Sequence, residues 1–316
     1  GIILNVIFGV AVIFILLNPS SLPTPHGTTQ KILLYFAAPL LFITESVRLL
    51  QTCCIFYFAS KARDPEPLEP QPGHRCAFLT TIVPSKEPVE IAIKTLVAAQ
   101  KIKYAVEYDG KLDVWLLDEG NVPEIKQLCE ENGIKHFSRK GIEKYNQETG
   151  LFKEKTKHGN HNSWRAEHVD KYDFVAVVDP DHVPNEHFLE RMLGYFNDPD
   201  VSFVVSPQKY GNCTESWITL ASAWQSYIFH GIIQRGANGV NGAFLEGTNH
   251  IYRTEAFNQI GGYQDSICED FLTCLTLFGT ENPLTGKHWK AIYTPDIVAV
   301  GEGPSSFSDH FSQQQR

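Results

Sequence analysis

The chain of 316 residues has a single methionine, Met192, and no cysteine pair at C-x-x-C spacing. Its seven cysteines, an odd number at positions 53, 54, 76, 129, 213, 268 and 274, fit neither a disulfide framework nor a zinc site, so the soluble part is expected in a reducing compartment. Positive charge is also short. Lys and Arg total 27 against 36 Asp and Glu, a net charge of -9, which argues against a protein that grips phosphate backbones; no nucleic-acid partner is expected. With 43% hydrophobic and 20% charged residues the chain is not a disordered tail, and its length suits one large or two modest domains. The lone methionine and an apolar run that opens at Gly1 lead us to expect a piece of a longer polypeptide.

What is abundant at the start is apolar sequence. Residues 1–17, GIILNVIFGVAVIFILL, hold one polar side chain, Asn5. As a helix they rise about 25 Å, close to the hydrocarbon thickness of a bilayer. A cleaved signal peptide is the alternative, but no basic region precedes the run. After a loop over 18–30, residues 32–59 are again apolar, interrupted by Glu45, Arg48 and Gln51. Glu45 and Arg48 stand three apart on one helical face, where they can neutralise each other and lower the cost of a second span. The alternative is a segment that ends near Thr44 and continues as an interfacial helix. Lys61 and Arg63 follow, which places the rest of the chain in the cytoplasm by the positive-inside rule and leaves Asn212-Cys213-Thr214 an unused glycosylation sequon. The expected organisation is therefore two transmembrane helices over 1–63, a proline-rich linker over 64–75, and a soluble domain over 76–316.

From Cys76 the pattern alternates short β-rich runs (77–83, 113–117, 173–178) with helical stretches (88–100, from about 122, 185–196), the signature of an α/β domain with a largely parallel sheet. Function then belongs at the carboxyl ends of the strands. Two runs end there in carboxylates, Asp118-Glu119-Gly120 and Asp179-Pro180-Asp181-His182. The first also reads as a plain turn; in the second, a stiff proline between two aspartates can aim hard oxygen ligands at one Mg²⁺ or Mn²⁺. Glu269-Asp270 opens a helix expected to be anchored by Phe271, Leu272, Leu275 and Leu277. An acid there is either a general base or a dipole partner. Histidines 158, 161 and 168 read as polar loop residues rather than a zinc site. Trp217, Trp224 and Phe229, on an amphipathic stretch over 215–235, read as core.

These acidic sites, in this order and followed by Gln313-Gln314-Gln315-Arg316, resemble the D, DxD, ED, QxxRW pattern of the membrane-bound, family-2 inverting glycosyltransferases of the cellulose-synthase-like group. The resemblance covers about residues 76–316 and implies a GT-A nucleotide-sugar-binding fold. It also implies roles. Glu87, Asp118, Lys157, Asp179, Gln313 and Arg316 would bind the donor, Asp118 at its uridine and Lys157 near its phosphates. Asp179 and Asp181 would hold the metal, Gly247, Thr248 and Asn249 would border the acceptor, and Asp270 would be the catalytic base. The tryptophan of the pattern would be residue 317. Glu119 where many relatives have Asp, Cys268 where Thr often stands, and an insertion over 280–290 depart from it.

The implied activity is that of a hexosyltransferase that passes sugar from a UDP-sugar, with UDP-glucose favoured, to a growing β-linked polysaccharide, in the plasma membrane and beside other synthase subunits. Diphosphate departure needs a cation, and the attacking hydroxyl needs a base. A non-processive transferase acting on a lipid-linked acceptor remains the nearest alternative. A glycoside hydrolase needs no diphosphate or metal apparatus, and a non-catalytic scaffold needs none of these carboxylates.

Overall fold

The computed structural model describes residues 2–314 and divides into two units, Gly1–Lys61 and Ala62–Arg316. The first is a pair of helices, Ile2–Leu17 and Thr28–Lys61, joined by a short 3₁₀ turn at Pro19–Ser21. The second helix runs unbroken through Pro39 and past Thr44 for 34 residues, longer than the apolar stretch that announced it. Among the described residues it is the one helix long and apolar enough to cross a membrane; the first helix is apolar but shorter. The charges at its middle pair as their spacing implies. Arg48 Nε donates to Glu45 Oε2 at 2.7 Å, and Arg48 Nη1 reaches across to Asn5 Oδ1 at 2.8 Å. The lone polar side chain of the first helix is thus matched to the arginine in the middle of the second.

The second unit is built on a seven-stranded sheet. Its strands are β1 (Arg75–Ile82), β2 (Lys111–Asp118), β3 (Lys135–Phe137), β4 (Phe174–Val177), β6 (Val201–Val205), β8 (His250–Arg253) and β9 (Lys290–Tyr293), in the order β3-β2-β1-β4-β8-β6-β9. Four of the six pairings are parallel; β8 runs antiparallel to both neighbours. Short strands β5 (Val183–Pro184), β10 (Ala299–Gly301) and β7 (Lys209–Tyr210) form a second sheet. Every residue of β4 and β6 is buried, as expected of strands covered on both faces. Alternate residues of β1 feed two separate cores: Phe78 and Ile82 pack with Leu96 and Phe188, whereas Ala77 and Leu79 pack with Trp164 and Tyr252.

Helices Val89–Ala99 and Pro123–Glu131 lie where the apolar period puts them, the second with proline in its first turn. The stretch 185–196 does not form the expected helix. It gives one α turn, Glu190–Leu193, and a 3₁₀ turn, Gly194–Asn197. The connector backbone presses on it so closely that a Cβ at Gly194 would sit 1.7 Å from the Leu68 carbonyl oxygen. That connector has no regular secondary structure and is laid along the domain. Tyr104 Oη donates to the Gln71 carbonyl at 2.6 Å and Tyr108 Oη to Glu69 Oε2 at 2.6 Å.

Candidate active site

The carboxyl ends of β1, β2 and β4 lie side by side at one edge of the sheet, since β1 runs parallel to both neighbours. Asp118 ends β2, fully buried. Its carboxylate accepts the Gly120 N–H at 2.6 Å, the Val122 N–H at 3.0 Å and His136 Nε2 at 3.1 Å. Burial opposes its charge, but His136 and the two N–H groups outweigh burial and hold the carboxyl below its usual range. These bonds shape the turn after β2. Glu87, in the loop after β1, is exposed, and its Oε2 accepts the Val83 N–H at 3.3 Å.

The β4 end is the densest cluster. Thr95 Oγ1 donates to the Pro180 carbonyl at 2.6 Å and the Asp179 N–H donates to Thr248 Oγ1 at 2.8 Å, so the turn is pinned from a helix on one side and a loop on the other. One ligand atom each of Asp179, Asp181 and His182 lies within 4.8 Å of the others. His182 Nδ1 sits 3.1 Å from Asp181 Oδ1; burial works against the Asp181 charge, but this contact holds its carboxyl below the ordinary range. The imidazole packs on Gly301, where a Cβ would fall 2.6 Å from the ring, so no larger residue fits. Two carboxylates and an imidazole suit a divalent cation of the Mg²⁺ or Mn²⁺ type.

Lys157, at the start of helix Lys157–His168, gives its ammonium to Asp179 Oδ1 and, at 2.6 Å, to the Gly247 carbonyl. The helix is capped by Thr156, whose hydroxyl accepts the Gly159 N–H at 3.2 Å. Gly159 is required, since a Cβ there would meet the Lys153 carbonyl at 2.1 Å. Glu269 and Asp270 occupy the first turn of helix Glu269–Phe278 and line a small cavity together with Lys157 and Gly247. Burial, reinforced by Asp270, pushes the Glu269 carboxyl above its usual value. Thr248 and Asn249 are buried, and Asn249 Nδ2 donates inward to the Pro207 carbonyl at 3.2 Å, so within Gly247–Asn249 it is Gly247 that lines the cavity. Gln313 lies in helix Phe307–Gln314, with its side chain outside the described set; Arg316 lies outside the described residues.

Three expectations need correction. Histidines 158 and 161 are buried in a helix, not polar loop residues, because the helix is wedged between the sheet and the Tyr263 segment. Of the residues expected to anchor helix Glu269–Phe278, Leu277 is buried, while Phe271, Leu272 and Leu275 are 40–50% exposed; Thr273 and Cys274 take the inward face. Trp217 and Trp224 are 73% and 63% exposed rather than core, since helix Trp217–Ile228 buries Thr219, Ser222 and Ala223 instead.

Arg139 escaped the sequence reading, because an isolated arginine in a loop carries no local signal. It is fully buried. Its guanidinium pairs with Glu119 at 2.7 Å and donates to the carbonyls of Tyr145, Lys153 and Thr156 at 2.9–3.1 Å, which ties the segment before Lys157 to the end of β2. Arg139→Met is expected to cost about 3 kcal/mol, because it removes the cation paired with Glu119 and the donor to the Tyr145 carbonyl, while the Lys153 and Thr156 carbonyls keep Thr156 Oγ1 and the Asn160 N–H. Urea unfolding of the variant would measure this, and a loss under about 1 kcal/mol would contradict the assignment.

Glu246 is a buried carboxyl close to the site. Gln234 Nε2 donates to it at 2.8 Å and Gln208 Nε2 at 3.0 Å, yet burial dominates and pushes its carboxyl up to about 8. A carboxyl raised in this way keeps a proton that the unfolded chain has lost above 4.5, so its contribution to stability falls as pH climbs from 4.5 to about 8. Glu246→Gln should therefore gain stability relative to wild type on going from pH 5 to pH 8, by on the order of 1 kcal/mol or more. Unfolding midpoints at the two pH values test the sign.

The model of the family described as "Glycosyl transferase family 2" matches residues 97–261, which takes in Asp118, Lys157, Asp179, Asp181 and Gly247. The chain belongs to glycosyl transferase family 2. Relatives of this family 2 chain include a probable glucomannan 4-beta-mannosyltransferase 14 of Arabidopsis thaliana, 26% identical over 255 residues, covering 79% of this chain and 45% of that protein. A cellulose synthase catalytic subunit [UDP-forming] of Xanthomonas axonopodis pv. citri (strain 306) is 26% identical over 236 residues, 73% of this chain and 29% of that protein. The family 2 chain thus spans less than half the length of these relatives. In fold it is similar to mannosyltransferase PcManGT from Pyrobaculum calidifontis, solved with GDP-Man and Mn²⁺: TM-score 0.57, 13% identity, 89% of this chain and 69% of that one. Glucosyl-3-phosphoglycerate synthase from Mycobacterium tuberculosis, solved with Mn²⁺, UDP-glucose and phosphoglyceric acid, gives TM-score 0.50 at 12% identity over 77% of each chain. The architecture is the GT-A fold that the motif order implied.

Proposed function

We propose that this chain is the catalytic part of a membrane-anchored inverting hexosyltransferase that moves glucose from UDP-glucose to the end of a growing β-linked polysaccharide. One observation carries the reading: four segments far apart in sequence deliver Lys157, Asp179, Gly247 and the Glu269–Asp270 pair to a single site at the carboxyl end of the sheet. Names of relatives that make cellulose or glucomannan support the polysaccharide product.

The donor set of Asp179, Asp181 and His182 fits Mg²⁺ or Mn²⁺, and an ion held there supplies charge neutralisation for a departing diphosphate. The chain's own residues do the rest. Lys157, tethered to Asp179 and the Gly247 carbonyl, adds positive charge where the phosphates gather. Asp270 takes the proton of the acceptor hydroxyl as that oxygen attacks the anomeric carbon, and a single displacement turns an α-linked donor into a β-linkage. Thr28–Lys61 anchors the enzyme in the plasma membrane, with Lys61 at its end and Arg63 just beyond holding the catalytic domain on the cytoplasmic side, among membrane lipids.

The test follows UDP release by the full-length protein in nanodiscs from UDP-glucose and other nucleotide sugars, with Mg²⁺ or Mn²⁺, and sizes the radiolabelled product. Metal-dependent release with polymer supports the reading. Release that yields only a lipid-soluble monoglycoside would replace the polysaccharide acceptor with a lipid-linked one, and release of free sugar without nucleotide would sink the transferase reading.

A further inference from the structure

Two histidines that the proposed reaction does not use are buried against it. His161, within helix Lys157–His168, and His250, the first residue of β8, are 2% and 1% exposed. Both line the small cavity that Lys157, Tyr263, Glu269 and Asp270 also line. One nitrogen of each ring is accounted for: His161 Nε2 lies 2.9 Å from Thr81 Oγ1, and His250 Nε2 lies 2.8 Å from Tyr263 Oη. The other, Nδ1 in both rings, is buried without a hydrogen-bond partner. Burial holds both imidazoles far below their usual value, His250 at about 3, so each is neutral and carries one N–H and one lone pair. The carbonyls of Thr248 and Glu246 lie near the His250 ring without completing a hydrogen bond to Nδ1.

Two unpaired buried nitrogens at one cavity call for a shared partner, since buried polar groups are seldom left unmatched. The cavity offers about 10 Å³ to the centre of a water molecule, which is room for one, and Lys157, Glu269 and Asp270 are among the residues that line it. The base itself lacks an anchor. Among the described residues, the hydrogen bond to the Asp270 carboxylate comes from its own neighbour, the Phe271 N–H at 2.7 Å, and no side chain fixes its direction.

We propose that one ordered water occupies this cavity, bridging Nδ1 of His161 and Nδ1 of His250 to the Glu269–Asp270 carboxylates, and that the two histidines are thereby positioning residues for the base. The inference rests on Asp270 having that role. The water takes its orientation from two rings locked by Thr81 and Tyr263, and passes it to a carboxylate in the first turn of a helix.

The first test is a crystal structure of the protein at a resolution that shows ordered water: a peak within hydrogen-bond distance of both Nδ1 atoms is expected, and a dry cavity overturns the proposal. The second is kinetic. Val177→Ile fills the cavity and keeps both rings. It and His250→Phe should lower kcat about 10- to 100-fold with donor KM and UDP affinity unchanged. His250→Asn, which can return an N–H to the water, should recover part of the loss. Wild-type kcat in a folded Val177→Ile enzyme would overturn the proposal even if His250→Phe fails to fold. Should wild type release no UDP from any donor, the proposed function fails, while the water site still stands or falls by its density.

Discussion

Asp270→Asn is expected to lower kcat by about 10²- to 10⁴-fold while leaving donor affinity and thermal stability near those of wild type. The substitution keeps size and shape, and its amide oxygen can still accept the Phe271 N–H that the carboxylate accepts at 2.7 Å. What it removes is the proposed proton acceptor. In the proposed mechanism donor binding depends instead on Lys157 and the Asp179–Asp181 cluster, which the change does not touch. Glu269 is the control, since it stands beside Asp270 and lines the same cavity. Burial raises its carboxyl, which makes it a better-protonated neighbour, and Glu269→Gln should therefore cost much less than Asp270→Asn. Single-turnover UDP release with calorimetric UDP binding separates the cases. An Asp270→Asn enzyme that keeps a tenth of wild-type kcat would remove the base from that residue, and a larger loss in Glu269→Gln would move it one position along the chain.

Asp181→Asn should weaken the apparent affinity for Mn²⁺ and raise donor KM by about 10- to 100-fold each, with the fold intact. Asp181 is one of three ligand atoms held within 4.8 Å of each other, and the His182 contact that keeps its carboxyl ionised also orients it. Asn is a poorer oxygen donor to a hard cation because it carries no charge. Mn²⁺ titration followed by electron paramagnetic resonance reads the metal without turnover. If the variant shows the wild-type Mn²⁺ affinity, the cluster is a structural turn and the cation lies elsewhere. Lys157→Met should behave differently. It should raise donor KM and leave Mn²⁺ binding unweakened, since it frees Asp179 from its ammonium.

Parts of this site could be read without coordinates because their signals are local. Strand β2 and the turn Asp118-Glu119-Gly120 are contiguous, so a carboxylate at a strand end is visible in the string of residues, and the same holds for β4 and Asp179-Pro180-Asp181. Glu269 and Asp270 announce a helix start that the fold reproduces. Arg139 offered nothing comparable. Its four partners lie 6 to 20 residues away in loops, and no periodicity marks a side chain whose work is to hold irregular backbone. Trp217 and Trp224 misled for the opposite reason. An amphipathic period says that one face is apolar, and it does not say whether another element of the same unit covers that face.

Sequence alone determined the kinds of chemistry and their order: apolar helices first, then alternating strands and helices, with carboxylates where strands end. Those are consequences of side-chain period and turn composition, which act over a few residues. Only the tertiary structure decided which groups meet. The Lys157 ammonium on Asp179 and on the Gly247 carbonyl, the guanidinium of Arg139 under Glu119, and two neutral imidazoles facing one cavity all join segments separated by tens of residues. Burial and pairing of that sort depend on how the sheet orders its strands. The antiparallel insertion of β8 between β4 and β6, which brings His250 beside Val177 and the loop before it to Asp179, has no local signature.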